Sequence, residues 1–391
     1  MQLRRHLKIL CLLAVLQTEI SLADADATKP PIRIGVSLSL SGSYAEFGRL
    51  QQLAYQLWEG QVNKRGGILD RPISVIIRDD QSDPQMVAKI YEQFTEKEKL
   101  DLVFGPFSSR LTAAAALVTE KNNYPMLTGG ASSDELWMKG YKNLFAVYPP
   151  NSRYAIGFLA LLSHTEIKKI AIIRLDDLSM LSIGEGAKRW APEYGLDVVD
   201  YRSVPKQNAD FEEAAKAARD SGAQAVILTG WLDESTAMRR ALKKIGWTPK
   251  AFYAHPGPNL EKYRESVGDD AHTTFFSSVW EPREDVPLPG SAEFLRAYRS
   301  AYNIVPSYHA ASAFAACQIL EKAIIRAGSV NRQAISKVLS ELDTPIIIGR
   351  YVVDNNGAHL KGLPAIIQWQ KGKREIVWPE DLRTAKPIFN K

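Results

Sequence analysis

The chain has 391 residues, sets 49 Lys and Arg against 44 Asp and Glu for a net charge of +5, and contains two cysteines. That length suits two domains of ordinary size. The charge is too small and too evenly scattered for a nucleic-acid partner, and two cysteines are too few for a disulfide framework.

Residues 1–25 read as a secretory signal peptide. Arg4, Arg5 and Lys8 form a basic start, and Ile9–Leu16 is an apolar core too short to span a bilayer. Ala23-Asp24-Ala25 or Ala25-Asp26-Ala27 supplies a small-residue cleavage site. Cys11 sits inside the apolar core, a poor place for acylation. Cleavage after Ala25 takes away Arg4, Arg5, Lys8, Glu19 and Asp24 and lowers the charge from +5 to +4. Cys317 is then the sole cysteine, so no intrachain disulfide can form, and its apolar helical setting predicts a buried small hydrophobe. No later apolar run is long enough to cross a membrane, so a soluble, exported, periplasmic protein is expected.

Strand and helix patterns alternate along the rest of the chain. Ile32–Leu38 predicts a strand running into the turn Ser39–Ser43. The following helix shows Leu50, Leu53, Ala54, Leu57 and Val62 on one face and closes at Gly66-Gly67. Strand Ile73–Arg78 comes next, and Asp83-Pro84 opens a helix with a cap residue and a proline at its first position. Asn143–Pro150 reads as a crossover. A second series follows, with strands Lys169–Arg174, Leu196–Tyr201, Ala223–Thr229, Ala251–Ala254 and Thr274–Val279. Its helices lie near Glu185–Tyr194, Asp210–Asp220 and Glu234–Ile245. Glu281–Gly290 is a proline-rich linker, and helices run through Ser291–Tyr302, Tyr308–Ala327 and Asn331–Leu342. The tail, Ile346–Val353 and Leu363–Trp369, alternates as β structure. Repeated βα units imply parallel sheets with right-handed crossovers. Two such sheets joined by crossing strands make a bilobed α/β protein with a cleft.

The most informative stretch is Gly105–Leu136. It reads as two successive strand-to-helix turns rich in Gly, Ser and Thr, one after Leu102–Phe104 and one after Pro125–Leu127. Such turns lie side by side at the carboxyl edge of a parallel sheet, where free backbone N–H groups can hold an anion. Ser109 and Ser132 add hydroxyl donors, and a small carboxylate is the natural guest. Each turn, taken alone, also reads as an ordinary serine N-cap.

The sequence offers no G-x-S-x-G elbow, H-E-x-x-H, P-loop or paired C-x-x-C. Gly184-Glu185-Gly186 begins a dinucleotide fingerprint, but Arg189 stands where the third glycine belongs. The six histidines are scattered without metal-ligand spacing. Asp79-Asp80 and Asp176-Asp177 could do acid–base work at strand ends, or simply mark turns and helix starts. No enzyme, metal or cofactor is expected.

With these motifs in order, the chain resembles the periplasmic branched-chain amino acid and amide binding proteins of ABC transporters. The marks are IRIGVSLSLSGSYAEFG, Asn63–Gly67 (NKRGG), Arg78–Pro84 (RDDQSDP), Gly105–Ser109 (GPFSS) and Thr128–Leu136 (TGGASSDEL). The resemblance implies the type I periplasmic binding fold, with two Rossmann-like lobes, parallel sheets and a three-strand hinge. Lobe one would be residues 29–148 plus 278–347, and lobe two residues 149–277 plus 348–391. Relatives with a disulfide here have cysteines at the positions of Ser82 and Ser108.

Carried over from the family, the ligand carboxylate meets Ser109, the backbone of Gly130 and Ser132, with Ser108 and Ala131 beside them. Phe47 matches the aromatic that closes over the ligand. The second-lobe tyrosine and glutamate that receive an ammonium group correspond to Trp231 and His255, neither of which carries a negative charge. Alternatively, a loop shift brings Asp233 or Glu234 to that position. Ile183 lies in a loop where relatives often have an aromatic, and Tyr308 or His309 is expected at the cleft rim. A small organic carboxylate, aliphatic or aromatic, is therefore expected as ligand, and an ABC permease as partner of a monomeric protein that closes by a hinge. The alternatives are a branched-chain amino acid or amide ligand, or a periplasmic sensing module of the same fold.

Overall fold

Apolar strand runs followed by amphipathic helices give two separate sheets. The structure, a computed structural model, describes residues 29–391; the expected leader lies outside them. In the first sheet β1 (Ile32–Leu38), β2 (Ile73–Asp79), β3 (Leu102–Phe104), β4 (Met126–Thr128) and β5 (Leu144–Ala146) are all parallel, in the order β2-β1-β3-β4-β5. The stretch expected as a pure crossover thus contributes the edge strand β5.

The second sheet holds β6 (Lys169–Leu175), β7 (Asp197–Val204), β8 (Ala225–Gly230), β9 (Ala251–Pro256) and β10 (Thr274–Ser278). After β11 (Thr344–Ile346) and β12 (Gly349–Tyr351), which form a small ribbon, β13 (Ala365–Gln370) and β14 (Lys373–Trp378) return to it. Its order is β14-β13-β10-β9-β8-β6-β7, and β13 runs antiparallel to both β10 and β14. The parallel arrangement expected of the βα units holds for β6–β10, and the tail adds two antiparallel strands. β13 returns to β10 only after the helices and ribbon that follow β10, and β13 and β14 are joined by a short hairpin, which pairs antiparallel.

The helices Ser291–Tyr302, Tyr308–Ala327 and Arg332–Glu341 share a core with the first sheet. Tyr308–Ala327 is buried over most of its surface, because its alanines let neighbouring backbone come close. The helix Ala45–Lys64 packs on it, and its buried face carries Phe47, Gln51, Ala54, Tyr55, Trp58 and Val62. Leu50, Leu53 and Leu57, expected inside, are only half-buried. Polar Gln51 is drawn inward because its side-chain N–H donates to the Gly129 carbonyl at 2.9 Å.

The chain passes between the two sheet systems in the segments 147–168, 279–290 and 352–364. The second passage is anchored by Glu281, whose buried carboxylate accepts two hydrogen bonds from Arg374 of β14, at 2.9 and 2.6 Å.

Candidate functional site

The turns after β3 and β4 are built against each other. Ser108 caps the helix Ser109–Lys121 by accepting the Leu111 N–H at 3.3 Å, and its own N–H donates to the Gly130 carbonyl at 2.9 Å. Its φ of +78° and ψ of +146° lie in a region that side chains avoid, so the turn stores strain that these bonds must hold. A methyl group on Gly130 would sit 2.7 Å from the Phe107 Cα and the Pro106 carbonyl, so only glycine lets the turns approach.

Ser109 faces the second turn. Its hydroxyl oxygen accepts the N–H groups of Ser132 at 3.3 Å and Ser133 at 3.0 Å. The Ser132 hydroxyl donates to the Asn151 side-chain carbonyl, and the Asn151 N–H donates back to the Ser132 carbonyl at 2.7 Å. Asn151 also donates from its amide to the Ser179 carbonyl at 3.1 Å, which ties the first-sheet turn to the helix Leu178–Trp190 of the second. The hydroxyls of Ser133 and Ser182 meet at 2.7 Å along the same seam.

Gly130 gives its N–H to the Thr128 hydroxyl at 3.3 Å. Among the described residues, the N–H groups of Ser109 and Ala131 make no hydrogen bond, although both residues are buried. The N–H groups of Phe107 and Gly129 in the same turns are likewise without a bond.

A narrow cavity lies beside them, between the carboxyl edges of the two sheets. Of the residues expected from sequence, Ser109, Gly130, Ser132, Ile183, Trp231, His255, Tyr308 and His309 line it. Phe47, Ser108 and Ala131 do not. Phe47 instead stacks on the cavity residue Phe107, with ring centres 4.7 Å apart, and packs 5.6 Å from Trp231. Tyr148, Asn151, Tyr154, Ser179, Met180 and Pro256 also line the cavity and carried no motif. No lining residue is an Asp, Glu, Lys or Arg. The space open to water-sized molecules is only about 30 Å³.

Trp231 stands at the N-terminus of the helix Leu232–Lys244, packed against Tyr44 and Phe107, and its indole N–H is buried without a partner. His255 ends β9 under Tyr154, with ring centres 4.8 Å apart. Burial lowers its imidazole to about 3, and its Nδ1 is buried without a partner. His309 stacks on Tyr308 at 3.9 Å and is likewise held neutral by burial. Asp233 and Glu234 line an outer hollow on the far side of Trp231, together with Lys206 and Lys262. Burial raises the Glu234 carboxyl, and its Oε2 is buried and unpaired.

The acidic pairs have structural roles. Asp80 accepts hydrogen bonds from the hydroxyls of Ser37 and Ser39 at 3.0 and 2.6 Å, while Asp79 gathers the turn N–H groups of Leu40 and Gln81. Asp177 caps the helix Leu178–Trp190 through the Ser179 N–H and reaches Tyr44 and Lys206.

Two α/β sheet systems joined by three passages, with opposed strand-end turns around a shared cavity, define a bilobed solute-binding protein. Residues 31–374 match the family described as periplasmic binding protein, and the chain belongs to that family. Leu/Ile/Val-binding protein homolog 7 of Brucella suis is 24% identical over 385 residues, spanning 92% of this chain and 94% of that protein. The structure is similar to that of the branched-chain amino acid transporter substrate binding protein LivJ from Streptococcus pneumoniae in complex with isoleucine. The TM-score is 0.79 at 25% identity, covering 92% of this chain and 100% of that one. It is also similar to a solute binding protein of an ABC transporter from Rhodopseudomonas palustris in complex with 3,4-dihydroxy benzoic acid. There the TM-score is 0.76 at 16% identity, covering 88% of this chain and 95% of that one. The fold is the type I periplasmic binding protein fold, of the Leu/Ile/Val-binding type.

Proposed function

We propose that this protein is an exported, monomeric solute-binding protein that captures a small organic carboxylate lacking an α-amino group and delivers it to an ABC permease. Its lobes are residues 29–148 plus 278–347 and residues 149–277 plus 348–391, a division supported by the core that the helices between Ser291 and Glu341 share with the first sheet. The observation that carries the ligand reading is the cavity wall itself. Its lining includes Ser109, whose buried N–H makes no hydrogen bond among the described residues, and holds no charged side chain. A carboxylate finds donors there, whereas an ammonium group would be buried without a counter-charge, at a cost of several kcal/mol. The space of about 30 Å³ is too small for such a ligand, so the lobes part to admit it and close by a hinge. That the fold accommodates an aromatic carboxylate is supported by the dihydroxybenzoate-bound neighbour.

A second reading, a branched-chain amino acid ligand, is favoured by the unpaired Glu234 Oε2 and by the Leu/Ile/Val-binding relatives. For Glu234 to meet an ammonium group, Trp231 would have to swing aside.

A thermal-shift screen of refolded, ligand-stripped protein separates the two. A ligand at about 100 times its dissociation constant adds roughly 2.7 kcal/mol of stability. Shifts with amino-free acids and none with leucine or isoleucine support the carboxylate reading; the reverse pattern overturns it in favour of the amino acid.

A further inference from the structure

We infer that a cavity among the three passages between the sheet systems is a second binding site, for a small amphipathic anion: a compact apolar body ending in one sulfonate or carboxylate. Tyr148 and Pro149 of the first passage, Val279 of the second and Leu363 of the third all line it, and Ile348 and Arg350 of the small ribbon close it. The space open to water-sized molecules is about 200 Å³, against about 30 Å³ in the cleft. A cavity of about 150 Å³ already accepts a benzene-sized molecule. The walls suit an apolar guest, since Val279, Ile348 and Leu363 are aliphatic and Leu363 is 43% exposed. The third passage is pinned on one side, where the Gly357 carbonyl accepts the Ala146 N–H at 2.8 Å and the His359 Nε2 lies 3.0 Å from the Arg350 carbonyl. Its outer rim is freer: Lys361, Gly362 and Leu363 donate no backbone–backbone hydrogen bond.

The lining carries charge of one sign. Arg350 and Lys361 are its charged residues, and no Asp or Glu belongs to it. Arg350 is already matched, because its guanidinium donates to the Asp343 carboxylate, one contact being 3.0 Å. Lys361 lies near that carboxylate but is in no ion pair among the described residues. Arg153, which donates to the Leu360 carbonyl at 3.1 Å, adds a third cation beside the rim. One acid thus faces three bases, and an anionic head at the rim is favoured over an ammonium. These charges are exposed, so they choose the sign of the ligand while the apolar body supplies most of the affinity. Tyr148 is buried and lines the cleft cavity as well as this one. An occupant that touches all three passages and this shared wall is linked to the opening and closing of the cleft, and the linkage runs both ways.

Calorimetry on refolded, ligand-stripped full-length mature protein tests this with three probes of one chain length: hexanesulfonate, 1-hexanol and hexylammonium. Hexanesulfonate should bind a few fold tighter than 1-hexanol, with hexylammonium the weakest. Leu363→Asp, which removes apolar wall and adds a negative charge, should weaken hexanesulfonate about ten-fold or more. Lys361→Glu should weaken it by a few fold and narrow the gap to hexylammonium. Ser109→Ala, at the cleft, should leave hexanesulfonate binding as it is. No measurable binding of hexanesulfonate overturns the inference, as does hexylammonium binding equally well. Loss of binding in Ser109→Ala but not in the rim variants also overturns it, and places the anion in the cleft. Should the rim variants not fold, the ranking of the three probes on the native protein and on Ser109→Ala decides. The identity of the cleft ligand does not enter, so this inference and the carboxylate reading stand or fall separately.

Discussion

The hydroxyl oxygen of Ser109 accepts the N–H of Ser133 at 3.0 Å and so locks the turn after β3 to the turn after β4. Ser109 is thus both a wall of the cavity and a fastener of its neighbour. Ser109→Ala should lower stability by about 1 kcal/mol, because two buried N–H groups lose their acceptor, and should weaken ligand binding by about 1–3 kcal/mol. Denaturant unfolding and calorimetry read the two effects separately. Lowered stability with unchanged affinity would leave Ser109 a structural role alone.

Gly130 is where the turns touch. A Cβ there meets backbone on two sides at 2.7 Å, so Gly130→Ala should destabilise the protein by about 1–3 kcal/mol and abolish the ligand-induced thermal shift. Gly60, exposed within the helix Ala45–Lys64 and with open space around it, is the control. Gly60→Ala should be stabilising by roughly 0.5–1 kcal/mol, since it only removes backbone freedom from the unfolded chain.

Tyr44, Asp177 and Lys206 make a polar contact across the cleft mouth. The Tyr44 hydroxyl lies 3.4 Å from the Asp177 carboxylate, and the Lys206 ammonium lies 3.4 Å from the hydroxyl and 3.8 Å from the carboxylate. This contact forms only when the two sides meet. Lys206→Met should therefore speed ligand release by a few fold, the scale of a half-exposed ion pair of about 0.2–1 kcal/mol. Stopped-flow dissociation measures it, and an unaltered rate would show that closure does not depend on the contact.

Burial holds His255, His309 and His359 below the ordinary imidazole range, His255 at about 3 and His359 at about 4. As pH falls through about 6.5 the unfolded chain takes up protons on these rings while the folded one does not. Stability is therefore complete above that pH and is lost toward pH 3–4, by up to about 1.4 kcal/mol per pH unit for each ring. Asp80, raised by burial, works in the opposite sense. Denaturant midpoints at pH 7 and pH 5 should differ accordingly. His359→Gln, which keeps a donor toward the Arg350 carbonyl 3.0 Å away, should flatten the slope by one proton.

Much of the fold was legible because buried strands are apolar and short turns are punctuated. Ile32–Leu38, the Asp83 cap and the helix Ser291–Tyr302 stand where the pattern put them. Strand β14 was missed because Lys373-Arg374-Glu375 reads as surface, yet Arg374 is tied to Glu281 and its neighbours pair with β13. The helix expected near Glu185–Tyr194 begins at Leu178. The signal was present in Asp177, which caps it through Ser179.

At the site, the paired turns were legible from their small residues, because glycine and serine report backbone geometry directly. Asn151, Tyr148 and Tyr154 were not. They come from the first passage between the sheets, where no periodicity operates, and their place is set by how the two halves meet. The sharing of donors was equally hidden. Sequence pointed to the backbone of Gly130, whose N–H donates to the Thr128 hydroxyl at 3.3 Å.

The uncharged lining of the cavity has a consequence for the medium in which the protein works. An anion held by amides and hydroxyls, with no cationic side chain beside it, has no ion pair for dissolved salt to screen. Capture of such an anion would then be nearly indifferent to ionic strength.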